Sequence, residues 1–311
     1  MKKNYLSIDI GGTNVKYAEL NNAGNIIEQG KIKTSHDKEQ FLKNIDQIVE
    51  KYVKKEIKGI AFCAPGKIAH TKIHFGGALP FLDGIDFAVR YKKYDIPVTV
   101  INDGKASVLA ENWLGSLKDM QNCAAITLGT GVGGGIIVNG KLLNGAHFQA
   151  GELSFLQLNM KEPGFDGFAG GYASAVQMIR NVNEAIENDD ETDGLAAFEA
   201  INNGNEKAKK IFDEYCKRIA AIIIDIQAVV DLDAIAIGGG ISAQPIVVQG
   251  INQAYDKVLA DNELIRKTFT RPKIVEAKFK NGANLYGALY NLFIHVNGEN
   301  YNDIWQENKA A

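Results

Sequence analysis

Five glycines fall among the seven residues 129–135, in the run Leu128-Gly-Thr-Gly-Val-Gly-Gly-Gly135. Glycine weakens helix and strand interiors and favours places where the backbone turns sharply or approaches another group closely. An apolar, strand-like segment, Cys123–Leu128, precedes the run. Ile136–Val138, the hairpin dipeptide Asn139-Gly140 and a short strand Lys141–Leu143 follow it. The same order occurs at the start of the chain: strand Tyr5–Ile10, turn Gly11-Gly12, strand Val15–Leu20, turn Asn22-Ala-Gly24 and strand Ile26–Ile32. A meander with a glycine turn therefore appears twice. Behind the first come a helix at about 37–55 with Phe41, Ile45, Ile48 and Tyr52 at helical spacing, strand Gly59–Cys63, a helical segment near 84–93, strand Val98–Ile101 and a helix from Gly104 to Trp113. Behind the second come helices at about 170–187, 191–202 and 206–230, strand Ala234–Ile237, a helix at 245–260, a strand at 272–277 and a helix at 283–295. Two related α/β lobes with a cleft between them are the expected architecture, cut as 1–117 and 118–296, with 297–311 a docked helix or a tail.

Composition narrows the function. With 34 basic and 37 acidic side chains in 311 residues, no electrostatic footprint for nucleic acid is expected. No stretch approaches the ~18 uninterrupted apolar residues of a membrane span, and the N-terminus does not read as a signal peptide. Cys63, Cys123 and Cys216 are odd in number and far apart, which reads as reduced core residues in a cytoplasmic protein.

Five constellations carry chemistry. Asp9-Ile-Gly-Gly-Thr13 ends a buried strand. Gly11, Gly12 and Thr13 offer amides and a hydroxyl to a phosphate, and Asp9 is a candidate ligand, through water, for phosphate-bound Mg²⁺. The alternative is a plain hairpin turn. In the second, Gly129, Thr130, Gly131 and Gly133 suit a polyphosphate, and a strand follows where a dinucleotide fold needs a helix. In the third, Asn102-Asp103-Gly104 lies at a strand end before a helix. Asp103 there can accept a proton from an attacking hydroxyl, and helix capping is the competing role. In the fourth, Glu152 of Ala150-Gly-Glu152 follows a glycine bend, as a sugar ligand or an ordinary surface carboxylate. In the fifth, Gly238-Gly239-Gly240 suits an adenine or ribose, or else tight packing.

Taken in order, these motifs resemble the ROK family of sugar kinases and regulators, within the actin-like/hexokinase-like ATPases. Ala64-Pro65-Gly66, Gly76-Gly-Ala-Leu79 and the stretch from Gly282-Ala283 to Gly287-Ala288 fit the same order. The resemblance implies an α/β fold of two actin-like (ribonuclease H-like) lobes with a central interdomain cleft, use of ATP and Mg²⁺, a small-molecule sugar substrate and a homodimer. It casts Asp103 as catalytic base, Asn102, Asp103, Glu152 and Gly77 as sugar-binding residues, and Gly239 and Gly240 as part of the nucleotide site. Family repressors carry a helix-turn-helix ahead of the first phosphate motif, and with eight residues before Asp9 none is expected here. A sugar sensor without catalysis is the remaining alternative class, which the retained Asp9, Asn102 and Asp103 oppose.

Two departures set the expected substrate. Zinc-containing members follow Ala-Gly-Glu with x-Gly-His and a cysteine cluster, whereas this chain reads Leu153-Ser-Phe155 and has no cysteine between 123 and 216. No zinc is therefore expected. The family's second sugar-binding Glu is replaced near Gly170-Gly171. In the family that His and Glu hold the anomeric end of the sugar, so their loss is expected to open this end to a substituent. The pattern is similar to bacterial β-glucoside kinases, which phosphorylate the 6-hydroxyl of cellobiose-like glucosides. A hexose or N-acetylmannosamine kinase of the same family is the alternative.

Overall fold

The computed structural model describes residues 3–297. The expectation for 297–311 lies, apart from Asn297, outside them. The chain opens with β1 (Asn4–Ile10), β2 (Asn14–Asn21), β3 (Ile26–Lys33) and α1 (Lys38–Val53). β4 (Ile60–Ala64), a small hairpin of β5 (Lys67–Ala69) and β6 (Lys72–Phe75), α2 (Phe87–Tyr91), β7 (Val98–Asn102) and α3 (Asp103–Leu114) follow. The sheet order is β3-β2-β1-β4-β7. β1 pairs antiparallel with β2, and β4 and β7 join parallel to it. Successive strand residues face opposite sides of a sheet. Leu6, Ile8 and Ile10 join a buried core with Phe41, Ile45 and Tyr52 of α1, and this parity leaves Ser7 and Asp9 to the other face.

The second half runs β8 (Cys123–Leu128), β9 (Val132–Val138), β10 (Lys141–Leu142), α4 (Ala169–Tyr172), α5 (Ala175–Ala185), α6 (Gly194–Asn202) and α7 (Glu206–Val230). It continues through β11 (Ala234–Gly239), α8 (Pro245–Asp261), α9 (Glu263–Thr268) and β12 (Lys273–Glu276) to α10 (Ala283–Val296). The second sheet has the order β10-β9-β8-β11-β12, again a meander joined by parallel strands. Its core includes Ile126, Ile235 and Ile237 with Phe212, Ile219 and Ile223 of α7. Asn139 and Gly140 take φ of 51° and 72°, the left-handed pair that a two-residue hairpin turn demands.

Two compact units result. Among the described residues, one holds 3–114, Gly140–Ala150 and 282–297; the other holds Gly115–Asn139 and Gly151–Asn281. The division is interleaved because α10 packs on α3 and β1. Trp113 and Tyr290 stack at 5.1 Å, and Ser7 Oγ donates to Leu285 O at 2.7 Å. A Cβ on Gly287 would lie 1.8 Å from Ala106 O, so the close crossing of α10 and α3 requires glycine.

Three local expectations change. β9 begins at Val132, so Gly133–Gly135 pair with Thr127–Ala125 and the turn itself shrinks to Gly129–Gly131. The helix expected over 170–187 breaks at Ser174, whose Oγ accepts from Gln177 N and caps α5. The helix expected near 84–93 is α2 plus a short 3₁₀ turn, Lys92–Tyr94. All three cysteines are buried and none forms a disulfide. No helix among the described residues is long and apolar enough to cross a membrane.

Candidate functional site

The first unit gathers its chemistry at the C-terminal ends of its three parallel strands. Asp9 aligns with Cys63 of β4, and Cys63 with Ile101 of β7, so Asp103 follows two residues beyond the same edge. Asp9 is only 7% exposed. Burial raises its pKa, partly opposed by the Asn284 side chain and the Lys16 charge, while the charge of Asp103 pushes it further up. Asn284 Nδ2 donates to Asp9 Oδ1 at 3.0 Å, across 275 positions of sequence. Asn284 escaped the reading of the sequence because its partner is so remote; the only local signal is its place within the Gly282–Ala288 motif.

Asp103 opens α3. The residue is exposed, yet protein crowded around its carboxyl costs it hydration and raises its pKa; the Gly104 N–H, donating to Oδ1 at 2.8 Å, opposes that rise. Asn102 serves the capping role. Its Oδ1 accepts from Gly104 N at 2.9 Å, and its Nδ2 donates to Gly66 O at 2.9 Å. One side chain thus starts the helix that carries Asp103 and fastens the loop after β4. Gly77 adjoins the same loop, with a φ of 57° that favours glycine. Lys105, also buried, donates to Phe148 O at 2.9 Å and tethers the segment leading to Ala150.

The glycines separate by cause. Gly11 closes its own turn, its N–H donating to Asn14 O at 3.1 Å. Gly239 has φ 94°, and a Cβ there would lie 2.1 Å from Leu128 O, so backbone conformation and packing both require glycine. Added Cβ atoms at Gly129 and Gly240 would meet nothing within 4 Å, and at Gly12 only Ala78 Cβ at 4.0 Å; none of the three has a φ that demands glycine. No crowding within the chain accounts for these three, and all lie in motifs suited to a ligand's approach. Thr13 and Thr130 are exposed beside them. Gly133 is exposed but lies in β9, opposite Thr127.

In the second unit Glu152 is exposed and precedes a 3₁₀ turn, Leu153–Phe155. Ser154 fixes this turn to β9: its Oγ accepts from Val132 N and donates to Val132 O, both at 3.1 Å. An added Cβ on Gly131 would lie 2.9 Å from that Oγ and 3.7 Å from Gly170 Cα, so the glycine turn, Ser154 and Gly170 are neighbours. The structure thus brings Asp9, Asn102 and Asp103 together on one unit, and Gly129–Gly131 near the Glu152 turn on the other.

The chain is similar to known proteins over nearly its whole length. A β-glucoside kinase of Listeria monocytogenes is 26% identical over 302 residues, covering 94% of this chain and 98% of the relative. An N-acetylmannosamine kinase of Haemophilus influenzae is 28% identical over 298 residues, covering 92% and 94%. The solved structure of a ROK family protein from Streptococcus pneumoniae in complex with sucrose superposes with a TM-score of 0.84 at 28% identity, covering 95% of this chain and all of that one. The folded units are those of the actin-like two-lobe ATPases. The ROK family profile matches residues 5–294, nearly the whole described chain, and the protein belongs to that family.

Proposed function

We propose that the protein transfers the γ-phosphoryl group of ATP to a sugar hydroxyl, with the 6-hydroxyl of a β-glucoside such as cellobiose as acceptor. The observation that carries the reading is the Asp103 carboxyl, placed at a parallel strand end beside buried Asp9 and held by the Gly104 N–H. The sugar hydroxyl gives its proton to Asp103 as its oxygen attacks the γ-phosphorus. The bond from that phosphorus to the β–γ bridging oxygen breaks, and ADP leaves with the electron pair. Such transfer rests on positioning and electrostatics, with general-base help of about 10²–10⁴-fold.

Asn102, Glu152 and Gly77 serve as sugar ligands in this reading. Thr13, Thr130, Gly11, Gly12, Gly129, Gly131 and Gly133 attend the phosphates, and Gly239 and Gly240 the adenosine. Asp9, a buried carboxylate held by Asn284, has the hard oxygen chemistry that suits Mg²⁺ through water. When bound, Mg²⁺ neutralises phosphate charge. A homodimer in the cytoplasm belongs to the same reading.

The relatives' names support a sugar kinase, and the sucrose bound by the pneumococcal protein supports a substrate larger than one ring. Relatives that phosphorylate N-acetylmannosamine favour the second reading, a kinase of that sugar or of a free hexose. An ATP-consumption assay with cellobiose, glucose, fructose and N-acetylmannosamine decides. Preference for cellobiose, with 6-phosphate product, is expected. Strong preference for free N-acetylmannosamine overturns the substrate, and no sugar-dependent ATP use overturns the kinase.

A further inference from the structure

Large apolar side chains held in water by an ordered backbone call for an occupant more than scattered ones do. Two aromatic rings follow Glu152 in this way: Phe155 is 63% exposed and Phe165 is 54% exposed. The segment that bears them is firmly tied. Leu158 N and Asn159 N both donate to Gly167 O, at 3.0 and 2.9 Å, Ala169 N donates to Leu156 O at 2.8 Å, and Ser154 is pinned to β9 as described above.

Position relates both rings to Glu152. The 3₁₀ turn Leu153–Phe155 starts directly after Glu152, so Phe155 follows it by three residues within one tight turn. Phe155 N donates to Glu152 O at 3.1 Å, closing that turn. Phe155 thus closes the tight turn that begins at Glu152. Phe165 reaches the neighbourhood of the same turn through Gly170 and Ser154. An added Cβ on Gly170 would lie 2.4 Å from Phe165 Cζ and 3.0 Å from Ser154 Cβ, so the ring lies over Gly170 beside the Glu152 turn. Phe165, Gly170 and Gly171 also line, with Thr130, part of a cavity of about 960 Å³ in this unit.

We propose that Phe155 and Phe165 form an apolar platform for the substituent at the anomeric carbon of the substrate, namely the second ring of a β-glucoside. A pyranose or aryl ring presents an apolar face, and removing that face and the two phenyl rings from water stabilises the longer substrate over the free sugar. The proposal rests on the sugar-kinase reading above. It assigns discrimination to two side chains that do not touch the transferred phosphoryl group.

The test measures kcat/KM for phenyl β-D-glucoside, cellobiose and free glucose, and KM for ATP, in the full chain and in Phe155→Ala and Phe165→Leu. Expected is a loss of about tenfold in kcat/KM for the phenyl glucoside, a smaller loss for cellobiose, and less than a twofold change (roughly) for glucose and for the KM of ATP. Phe155→Tyr keeps the ring and is expected to retain the phenyl glucoside preference. Three results overturn the platform while leaving the kinase standing: equal losses on all sugars, no change on any, or a rise confined to the KM of ATP. If the unaltered chain phosphorylates no sugar at all, the kinase reading itself falls and the platform with it. Thermal unfolding of Phe165→Leu separates a folding defect from a lost contact, and the exposed Phe155 supplies the decisive variant if Phe165→Leu is unstable.

Discussion

The two sheets of this protein share one topology and use the same edge differently. Each runs a meander into parallel strands, and each bends at a glycine turn after its first strand. In the first sheet Asp9 stands two residues before Gly11, and Asp103 follows the last strand. In the second sheet Thr127 stands two residues before Gly129, and its buried Oγ1 has no hydrogen-bond partner among the described residues. The second parallel strand there ends in Gly238-Gly239, and Gly240 follows it. The comparison teaches that the repeated fold supplies a place for close approach, and that single side chains decide whether the place carries charge or bare backbone. One sheet edge carries carboxylates, and the other carries glycines in their place.

Removing the charge from the first edge has the largest expected effect. Asp103→Asn is expected to lower kcat by about 10²–10⁴-fold while sugar binding stays measurable by calorimetry. Turnover near that of the unaltered chain would show that the acidic edge is not where the proton goes. On the second edge, two adjacent glycines are expected to respond in opposite ways. Gly239→Ala puts a Cβ on Leu128 O at a positive φ, and is expected to cost about 3 kcal/mol in urea unfolding. Gly240→Ala meets no neighbouring atom, and is expected to leave stability within about 0.5 kcal/mol yet raise the KM for ATP. Equal behaviour of the two would erase the distinction between packing glycines and ligand glycines.

Asn284→Ala sharpens the comparison at Asp9. Loss of the 3.0 Å hydrogen bond removes the largest influence holding that buried carboxyl's pKa down. The acid limb of the rate profile is then expected to move to higher pH, and activity at neutral pH to fall by about tenfold, as for loss of a hydrogen bond to a charged group. The smallest expected effect is on stability. The Asp103 pKa is raised in the folded chain, so the folded state binds the proton more tightly than the unfolded state does. Stability therefore falls as pH rises from the ordinary carboxylate value through the raised one. Asp103→Asn lacks this loss, and its melting temperature is expected to exceed that of the unaltered chain at pH 7. The advantage is expected to vanish below the ordinary carboxylate value near about 4. An advantage that persists at acid pH would mean that charge is not its source.

The site was legible in proportion to how local its causes are. Glycine turns, the Asn139-Gly140 hairpin and the strand ends carrying Asp9 and Asp103 are written in consecutive residues, because turn chemistry and two-residue periodicity act over short spans. The start of β9 was less legible: Gly133–Gly135 have weak strand preference, and only their pairing with Thr127–Ala125 makes them sheet. Asn102 shows a further limit. Its sequence position allowed both capping and ligand binding; the hydrogen bonds show the cap, and the clamp on Gly66 was not legible in the sequence.

By itself the sequence determined two α/β halves, their glycine turns and the acidic residues at strand ends, since these follow from side-chain volume, backbone freedom and apolar spacing along the chain. Only the tertiary structure decided that α10 returns to the first sheet and sets Asn284 against Asp9. It alone also set the Phe165 ring over Gly170 and separated glycines required by crowding from those left open. Such relations depend on atoms that meet across tens to hundreds of residues, where the steric and electrostatic terms exist only once the chain has closed on itself.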